Sequence, residues 1–461
     1  MAISEKLTYL NETKKQIKNA LQSKGVSVSD SDTFRSYAQK ISNIQVGGVS
    51  KLPQVADKTI QELNASDLNG ATTIKANVFT NCTNLTSVEL PDSVTSVETD
   101  AFAGCTNLES FDTGNGITDI SNLTFSTFNN IKNVVVGNRV TNVGNAFKDS
   151  ASLESVKLPN NITSIENGMF KNCVMLTDIN IPNTVTRIGD NAFEGCSSFT
   201  SITIPEQLTY LGSFAYSNIS NLTEINYNMP TNSKTYSPSP FHLSGSNAET
   251  LVVNIGENVT QIPGGLFRGA TNRNQYFTTI KFANSSKISN FSYDTFSFCG
   301  NVEKVYITES LENWCNRYFY DNTAVPYGSS TNGADLYINN VLVKDLRIPS
   351  SVKSIGQWVF TKCNFDSVTI EAGVESIEYR AFEQCNIATS MTLMGETEIK
   401  DYAIQYCKNL KTLKCLSSNP PVIPAYGLPS SITRIEVPSA SLGTYKTATN
   451  WVSYADKMVG V

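Results

Sequence analysis

Ten cysteines and a single histidine are where chemistry would first be sought in this 461-residue chain. Cys and His clusters hold zinc, and paired cysteines close disulfides. The spacing favours neither. No CxxC pair occurs, and one His cannot complete a mixed Cys/His set. Instead Cys82, Cys105, Cys173, Cys196, Cys299, Cys363 and Cys385 each follow a Phe by three residues, and Cys407 follows Ile404 by three. Where the cysteine is missing, the place holds Phe128, Ser150, Ser217 or Ala270. A ligand or a bridge would not tolerate those replacements. The cysteines therefore read as a ladder of small buried apolar side chains stacked at the strand spacing of about 4.8 Å. Cys315 and Cys415 fall outside the ladder and read as buried or free thiols.

Other reactive constellations are equally thin. His242 sits between Phe241 and Leu243 in an irregular segment, so any Ser-His-Asp or Cys-His site must use it. A packed or exposed loop residue is the plainer reading. Neither GxxxxGK[ST] nor HExxH appears. Glu89, Glu98 and Glu109 are scattered along the chain. A glycosidase pair depends on carboxylate separation, which spacing does not reveal, and solvated strand faces explain these residues as well. Neither catalytic residues, nor a metal, nor a cofactor is expected. Lys plus Arg is 35 against 41 for Asp plus Glu, a net charge of -6 with no basic stripe, which disfavours nucleic acid as a partner. No run approaches the roughly 18 apolar residues of a membrane span. Met1–Lys6 lacks the apolar core of a signal peptide, and Lys14, Lys15 and Lys18 stand where that core would be. Asn-x-Ser/Thr triplets such as Asn84-Leu85-Thr86 and Asn221-Leu222-Thr223 follow from turn chemistry.

The element that positions all these residues is a repeat. A marker Phe recurs at Phe79, Phe102, Phe125, Phe147, Phe170, Phe193 and Phe214, in steps of 23, 23, 22, 23, 23 and 21. Phe241, Phe267 and Phe296 follow with longer steps of 27, 26 and 29; then a gap of 64, room for two enlarged coils, leads to Phe360, Phe382 and Ile404. Such a period means stacked supersecondary units, each touching only its neighbours. In Leu85–Val97 the apolar Leu85, Val88 and Leu90 form a short strand and its approach. Pro91-Asp92-Ser93 makes the bend, and Val94 and Val97 begin a second extended piece. Adjacent coils then pair laterally into parallel sheets. The fold class is a mostly β repeat solenoid of about a dozen coils, roughly 60 Å long at the strand spacing.

The best unit, Ile181-Pro182-Asn183-Thr184-Val185-Thr186-Arg187-Ile188-Gly189-Asp190-Asn191-Ala192-Phe193-Glu194-Gly195-Cys196, resembles the BspA-like leucine-rich repeat family, also called the Treponema pallidum type. The resemblance covers about residues 70–415 and implies a right-handed leucine-rich-repeat solenoid. It also implies a surface or secreted binding protein rather than an enzyme. Lys6–Lys14 and Asp32–Tyr37 resemble the helical leader of phage tail and baseplate-associated proteins, and Ala448–Asp456 resembles endings common in such chains. That resemblance implies a virion tail protein released by lysis. The alternative it leaves is a bacterial cell-surface or extracellular adhesin of the same repeat family, and more remotely a solenoid polysaccharide depolymerase.

Domain organisation follows from these patterns. Residues 1–46 form a helical docking or oligomerisation module: Leu7, Leu10, Lys14, Ile17 and Leu21 line one helix, and Phe34, Tyr37, Ala38 and Ile41 a second, with Gly47-Gly48 as the joint. Residues 47–76 read as linker and N-terminal cap, 77–415 as the repeats, and 416–461 as a C-terminal cap with a strand at Ile432–Val437, a short helix after Ser439, and Trp451 and Tyr454 over the end. Insertions fall near 228–249, 271–279 and 310–334, the last ending in a hairpin with an Asn339-Asn340 turn. Insertions in repeat arrays map to loops on one face, often the binding face. Their aromatic residues give the expected contact set: Tyr236, His242, Tyr276, Trp314, Tyr318 and Tyr320. The expected partners are a host cell-surface protein or glycan and, through the N-terminal helices, other tail proteins or further copies of the chain.

Overall fold

The computed structural model describes residues 3–23, 28–29, 31, 54–55, 57–68, 70–231, 234–245, 249–269, 277–327, 330, 332–425 and 427–461. The chain divides into two compact units, Met1–Thr163 with Met169–Thr184, and Ser164–Gly168 with Val185–Val461. Both are built from parallel-β solenoid turns, about 17 in all. The excess over a dozen arises because segments read as caps also wind as turns. In the first unit Glu62–Leu63 pairs with Ser87–Glu89, and Thr73–Ile74 with Ser96–Val97. In the second, Met458–Gly460 pairs with Arg434–Val437.

The first unit shows why the repeat folds this way. Strands Glu62–Leu63, Ser87–Glu89, Ser110–Asp112, Asn133–Val135 and Ser155–Lys157 form one parallel sheet. Its register places Leu63, Val88, Phe111, Val134 and Val156 in a single buried column. Flanking polar residues face solvent and tie coil to coil: the Thr86 hydroxyl donates to the Gln61 carbonyl at 3.1 Å and Thr95 to Thr72 at 3.1 Å. The marker phenylalanines stack: Phe79 on Phe102 at 5.0 Å, and Phe147 on both Phe125 (5.0 Å) and Phe170 (5.1 Å). Between Phe102 and Phe125 the edge of Phe111 intervenes. The helix α1 (Ile3–Ser23) is present; Leu21 and Ile17 pack against Val28, while Leu10 is exposed. The expected second helix lies outside the described residues, as does Gly47-Gly48.

In the second unit the stack runs Phe193, Tyr216, Phe241, Phe267, Phe296. Tyr216, not Phe214, is the rung. The rung N–H donates to the carbonyl just before the next rung, as Phe79 does to Ala101 (2.8 Å), and Phe193 donates to Ala215 (2.7 Å). The cysteine place of that turn is therefore Ile219 rather than Ser217. The same bond, from Phe296 to Thr323 (2.9 Å), puts Ala324 on the rung between Phe296 and Phe360. Steps of 28 and 36 residues thus divide the long gap into two enlarged turns. Ala324 is buried, as are the large side chains of Trp314 and Tyr327 in these enlarged turns. Longer strands than in the first unit make a seven-stranded sheet from Ser201–Ile204 to Val341–Leu342, and a six-stranded sheet from Asp345–Ile348 to Met458–Gly460. The hairpin forms, with Asn339 (φ 49°) and Asn340 (φ 65°) in its turn. At the C-terminal end, beyond a short helix (Leu442–Thr447), the Trp451 indole is buried against Tyr445 and donates to the Pro421 carbonyl at 2.7 Å.

All ten cysteines are buried and unbridged. The ladder members do more than fill space. Cys105 donates its S–H to the Phe79 carbonyl, Cys173 to Phe147, Cys299 to Phe267 and Cys407 to Phe382, at 3.0–3.2 Å. Ser244 takes the same place in its turn, and its hydroxyl donates to the Tyr216 carbonyl at 2.6 Å. At Phe79, Phe147 and Phe382 the S–H is a second donor to a buried carbonyl that also accepts the N–H three residues on. Burial pushes the Cys105, Cys173 and Cys407 thiols up to about 12. Ellman's reagent is accordingly expected to leave all ten cysteines of the folded chain unmodified and to react with all ten after unfolding in urea. Prompt labelling of the folded chain would contradict this packing.

Candidate binding face

Turns such as those of Phe79, Phe102, Phe193 and Phe296 bend around the rung through two corners, two residues before and two after it, where φ is near +60°, whereas the turns of Phe125 and Ala324 lack them. Asn, Asp and Gly adopt this conformation readily; for other L-residues it costs about 1–2 kcal/mol. The first unit follows the rule with Asn77, Asn81, Asp100, Gly104, Asp149 and Asn172. Part of the second unit breaks it. Phe214, Trp358, Arg380 and Tyr402 occupy leading corners, and Phe298, Lys362, Gln384 and Tyr406 trailing ones. Core packing does not explain Tyr402 or Tyr406, which are 44% and 55% exposed. Strain kept without burial makes these corners candidates for a contact role.

Three of the leading corners, Trp358, Arg380 and Tyr402, form a cluster with Tyr379. The Arg380 guanidinium carbon lies 5.0 Å from the Trp358 ring centre, 5.0 Å from that of Tyr379 and 4.8 Å from that of Tyr402. Tyr379 stands edge-on to both Trp358 (6.0 Å) and Tyr402 (5.9 Å). Arg380 is anchored beneath by Glu383, whose buried carboxylate accepts from Nη1 at 2.8 Å. The cation holds the three rings in one arrangement and leaves the outer parts of Tyr379 and Tyr402 to solvent.

Burial pushes the Glu383 carboxyl above the usual carboxylate range, against the opposing pull of Arg380 and Lys362. The folded chain therefore holds this proton more tightly than the unfolded chain does. The resulting stabilisation is fully present below about pH 4.3 and is lost as pH rises through the folded value. Glu383→Gln should remove that slope, so the variant's urea midpoint falls less than the wild type's between about pH 4 and about pH 7. A wild-type-minus-variant difference that stays flat over this range would contradict the assignment.

The sequence-expected contact residues divide. Trp314 is fully buried, with its Nε1 donating to the Tyr327 hydroxyl at 3.3 Å, and Tyr327 in turn donates to the Val359 carbonyl. Tyr236 is also buried, its hydroxyl donating to the Leu211 carbonyl at 3.3 Å. Enlarged turns need large side chains to fill them, so these two residues are core rather than contact surface. Tyr276 lies outside the described residues. Tyr318 and Tyr320 are 70% and 69% exposed, with Phe319 buried between them. Their loop is held by the helix α2 (Leu311–Cys315) and by Arg317, which pairs with buried Glu309 at 2.7 Å and donates to the Ile288 carbonyl at 2.7 Å. Gln357 donates to the Tyr320 carbonyl at 3.3 Å, which sets this loop beside the Trp358 corner. Sequence reasoning missed Trp358, Tyr379, Arg380 and Tyr402, because it sought aromatics in long loops. The available signal was the place two before the marker, where Asp100 and Asn191 give way to Trp358, Arg380 and Tyr402.

His242 is partly buried beside a small cleft of about 250 Å³ that Phe214, Ser239 and Arg268 also line. Its ring meets Phe214 edge-on at 5.4 Å, and burial lowers its pKa. Ser239 does not serve it as a nucleophile: its hydroxyl donates to the Leu266 carbonyl at 2.6 Å. Arg268 pairs with Asp294 at 3.4 Å. Among the described residues no group of three or more His, Cys, Asp or Glu side chains is gathered that could hold a metal. Nor is any described helix long and apolar enough to cross a membrane.

No curated protein matches the chain. Among solved structures it is similar to a leucine rich cell surface protein from Faecalibacterium prausnitzii, at 20% identity over 85% of this chain and 87% of that one, with a TM-score of 0.28. A leucine-rich repeat protein from Bacteroides ovatus is 15% identical over 80% and 88%, with a TM-score of 0.31. The T. pallidum leucine rich repeat protein is 24% identical over 40% and 71%, with a TM-score of 0.25. Scores at this level carry no functional argument. The sequence itself matches the BspA type leucine rich repeat region, in six copies, over residues 56–173, 144–274, 196–326 and 332–442. Rung, cysteine place and corner recur through these spans, and the chain belongs to the BspA-type leucine-rich repeat family.

Proposed function

We propose that the chain is a non-enzymatic recognition protein of the bacterial cell-surface type, an adhesin that meets a surface glycan or protein through the corners of its second unit. The observation that carries this reading is the cluster of Tyr379 with Trp358, Arg380 and Tyr402, the last three on strained corners, extended by Tyr318 and Tyr320. Rigid aromatic rings offer large contact area at low entropy cost. Family membership supports a surface role. The test is to apply the purified full chain to surfaces coated with mucin, extracellular-matrix proteins or isolated bacterial envelopes. Saturable binding to at least one surface, weakened by Tyr379→Ala, is the expected result. Binding to none, or release of reducing ends from the coated polysaccharide, would refute it, the latter in favour of a depolymerase.

A second reading, a phage tail-associated attachment protein, is favoured by one observation: α1 leaves the apolar side chain of Leu10 exposed. Mass spectrometry of purified particles against cell-surface fractions separates the two. Recovery in particles would favour the tail reading, and recovery at the cell surface the adhesin.

A further inference from the structure

On the other side of the same arcs, the trailing corners carry a second feature. A groove of about 590 Å³ is lined by Lys362, Gln384 and Tyr406 from those corners, and by Asn386, Lys408 and Asn409 from the segments that follow. The three corner residues have φ of 59° each, so the backbone strain that marks the aromatic cluster is repeated here. The amides are already oriented. Asn409 donates to the Asn386 side-chain oxygen at 2.6 Å, and Asn386 to that of Asn364 at 3.4 Å. Among the described residues lining the groove none is acidic, although the whole chain carries a net charge of -6. The carboxylate that acts on Lys362, Glu383, is buried and paired with Arg380. The two lysines therefore give the groove a local positive potential on an acidic chain.

These parts fit one ligand chemistry. A ring such as Tyr406 stacks on the apolar face of a pyranose, fixed amides recognise vicinal hydroxyls, and ammonium groups pair with carboxylates. We infer that this groove binds a glycan bearing carboxylates, a sugar acid within an oligosaccharide. The inference goes beyond the adhesin reading and stands on residues other than the aromatic cluster, so either can fail without the other.

The test is calorimetric titration of the full chain with trigalacturonic acid and with sialyllactose, each beside its methyl ester, and with inorganic phosphate. At least one acid should bind, its ester about tenfold or more weaker, and phosphate should not displace it at equal concentration. Lys408→Gln should weaken binding about tenfold, the effect of one charge-assisted hydrogen bond, with an unchanged melting temperature because Lys408 is exposed. Tyr402→Asn should leave this binding within about twofold of the wild type. The inference is overturned if neither acid binds, if ester and acid bind alike, if phosphate competes equally as a simple anion, or if Lys408→Gln binds like the wild type. A loss with Tyr402→Asn would move the sugar to the aromatic cluster and overturn it too.

Discussion

Phe147→Ala is expected to destabilise the first unit by about 3–5 kcal/mol, read from the urea unfolding transition. Phe147 is fully buried and is stacked on both sides, against Phe125 at 5.0 Å and Phe170 at 5.1 Å. Truncation loses the transfer free energy of a benzyl group and leaves a void between two rings. Hydrogen-bonded coils hold those rings at the strand spacing, so they cannot close over it. In a stack where each turn touches only its neighbours, the loss weakens two interfaces at once. Phe147→Leu keeps most of the volume and should cost under about 1.5 kcal/mol. Phe298→Ala, at a 41% exposed trailing corner, should cost far less than Phe147→Ala. A cost below about 1 kcal/mol for Phe147→Ala would mean that the rung is not a structural column.

Tyr402→Asn is expected to weaken adhesion about thirtyfold or more while leaving the melting temperature no lower than the wild type's. Two opposing effects set the stability side. Asn tolerates the φ of 58° at this corner, which relieves about 1–2 kcal/mol of strain. The substitution also removes one ring from Arg380, worth about 0.5–1 kcal/mol at an exposed site, and Trp358 and Tyr379 remain around the cation. Relief matches or exceeds loss. The binding side follows from the exposed aromatic area that Tyr402 adds to the cluster, since a few aromatic anchors carry most of an interface's free energy. A residue held for packing would show the reverse pattern, with lower stability and intact adhesion. That outcome would remove the corner argument.

The winding of the chain was legible because its determinants are local and repeated. Val88, Phe102 and Cys105 recur at fixed offsets, and one period with parallel pairing follows from them. The register slipped at Phe214 because a corner Phe looks like a rung Phe in sequence; the Phe193 N–H bond to Ala215 and the ring stack through Tyr216 identify the rung. Ala324 was hidden because its rung lost the aromatic ring. The contact residues were harder still. Tyr236 and Trp314 share composition and loop setting with Tyr318 and Tyr320, yet enlarged turns need some aromatics as core. Which ones turn inward is decided by partners such as Val359 and Leu211, which no local pattern names. The strained corners were readable in principle, since their places follow from the marker, but the meaning of a Trp or Arg there depends on φ.

Hydroxyl-radical footprinting of the full chain, bound to whichever coated surface retains it, tests the central claim most directly. Protection is predicted at Tyr379, Tyr402, Tyr318 and Tyr320, with the corners of the first unit, such as Asn77 and Asp100, reacting as in the free chain. Protection confined to the first unit, with Tyr379 and Tyr402 as reactive as in solution, would contradict the account.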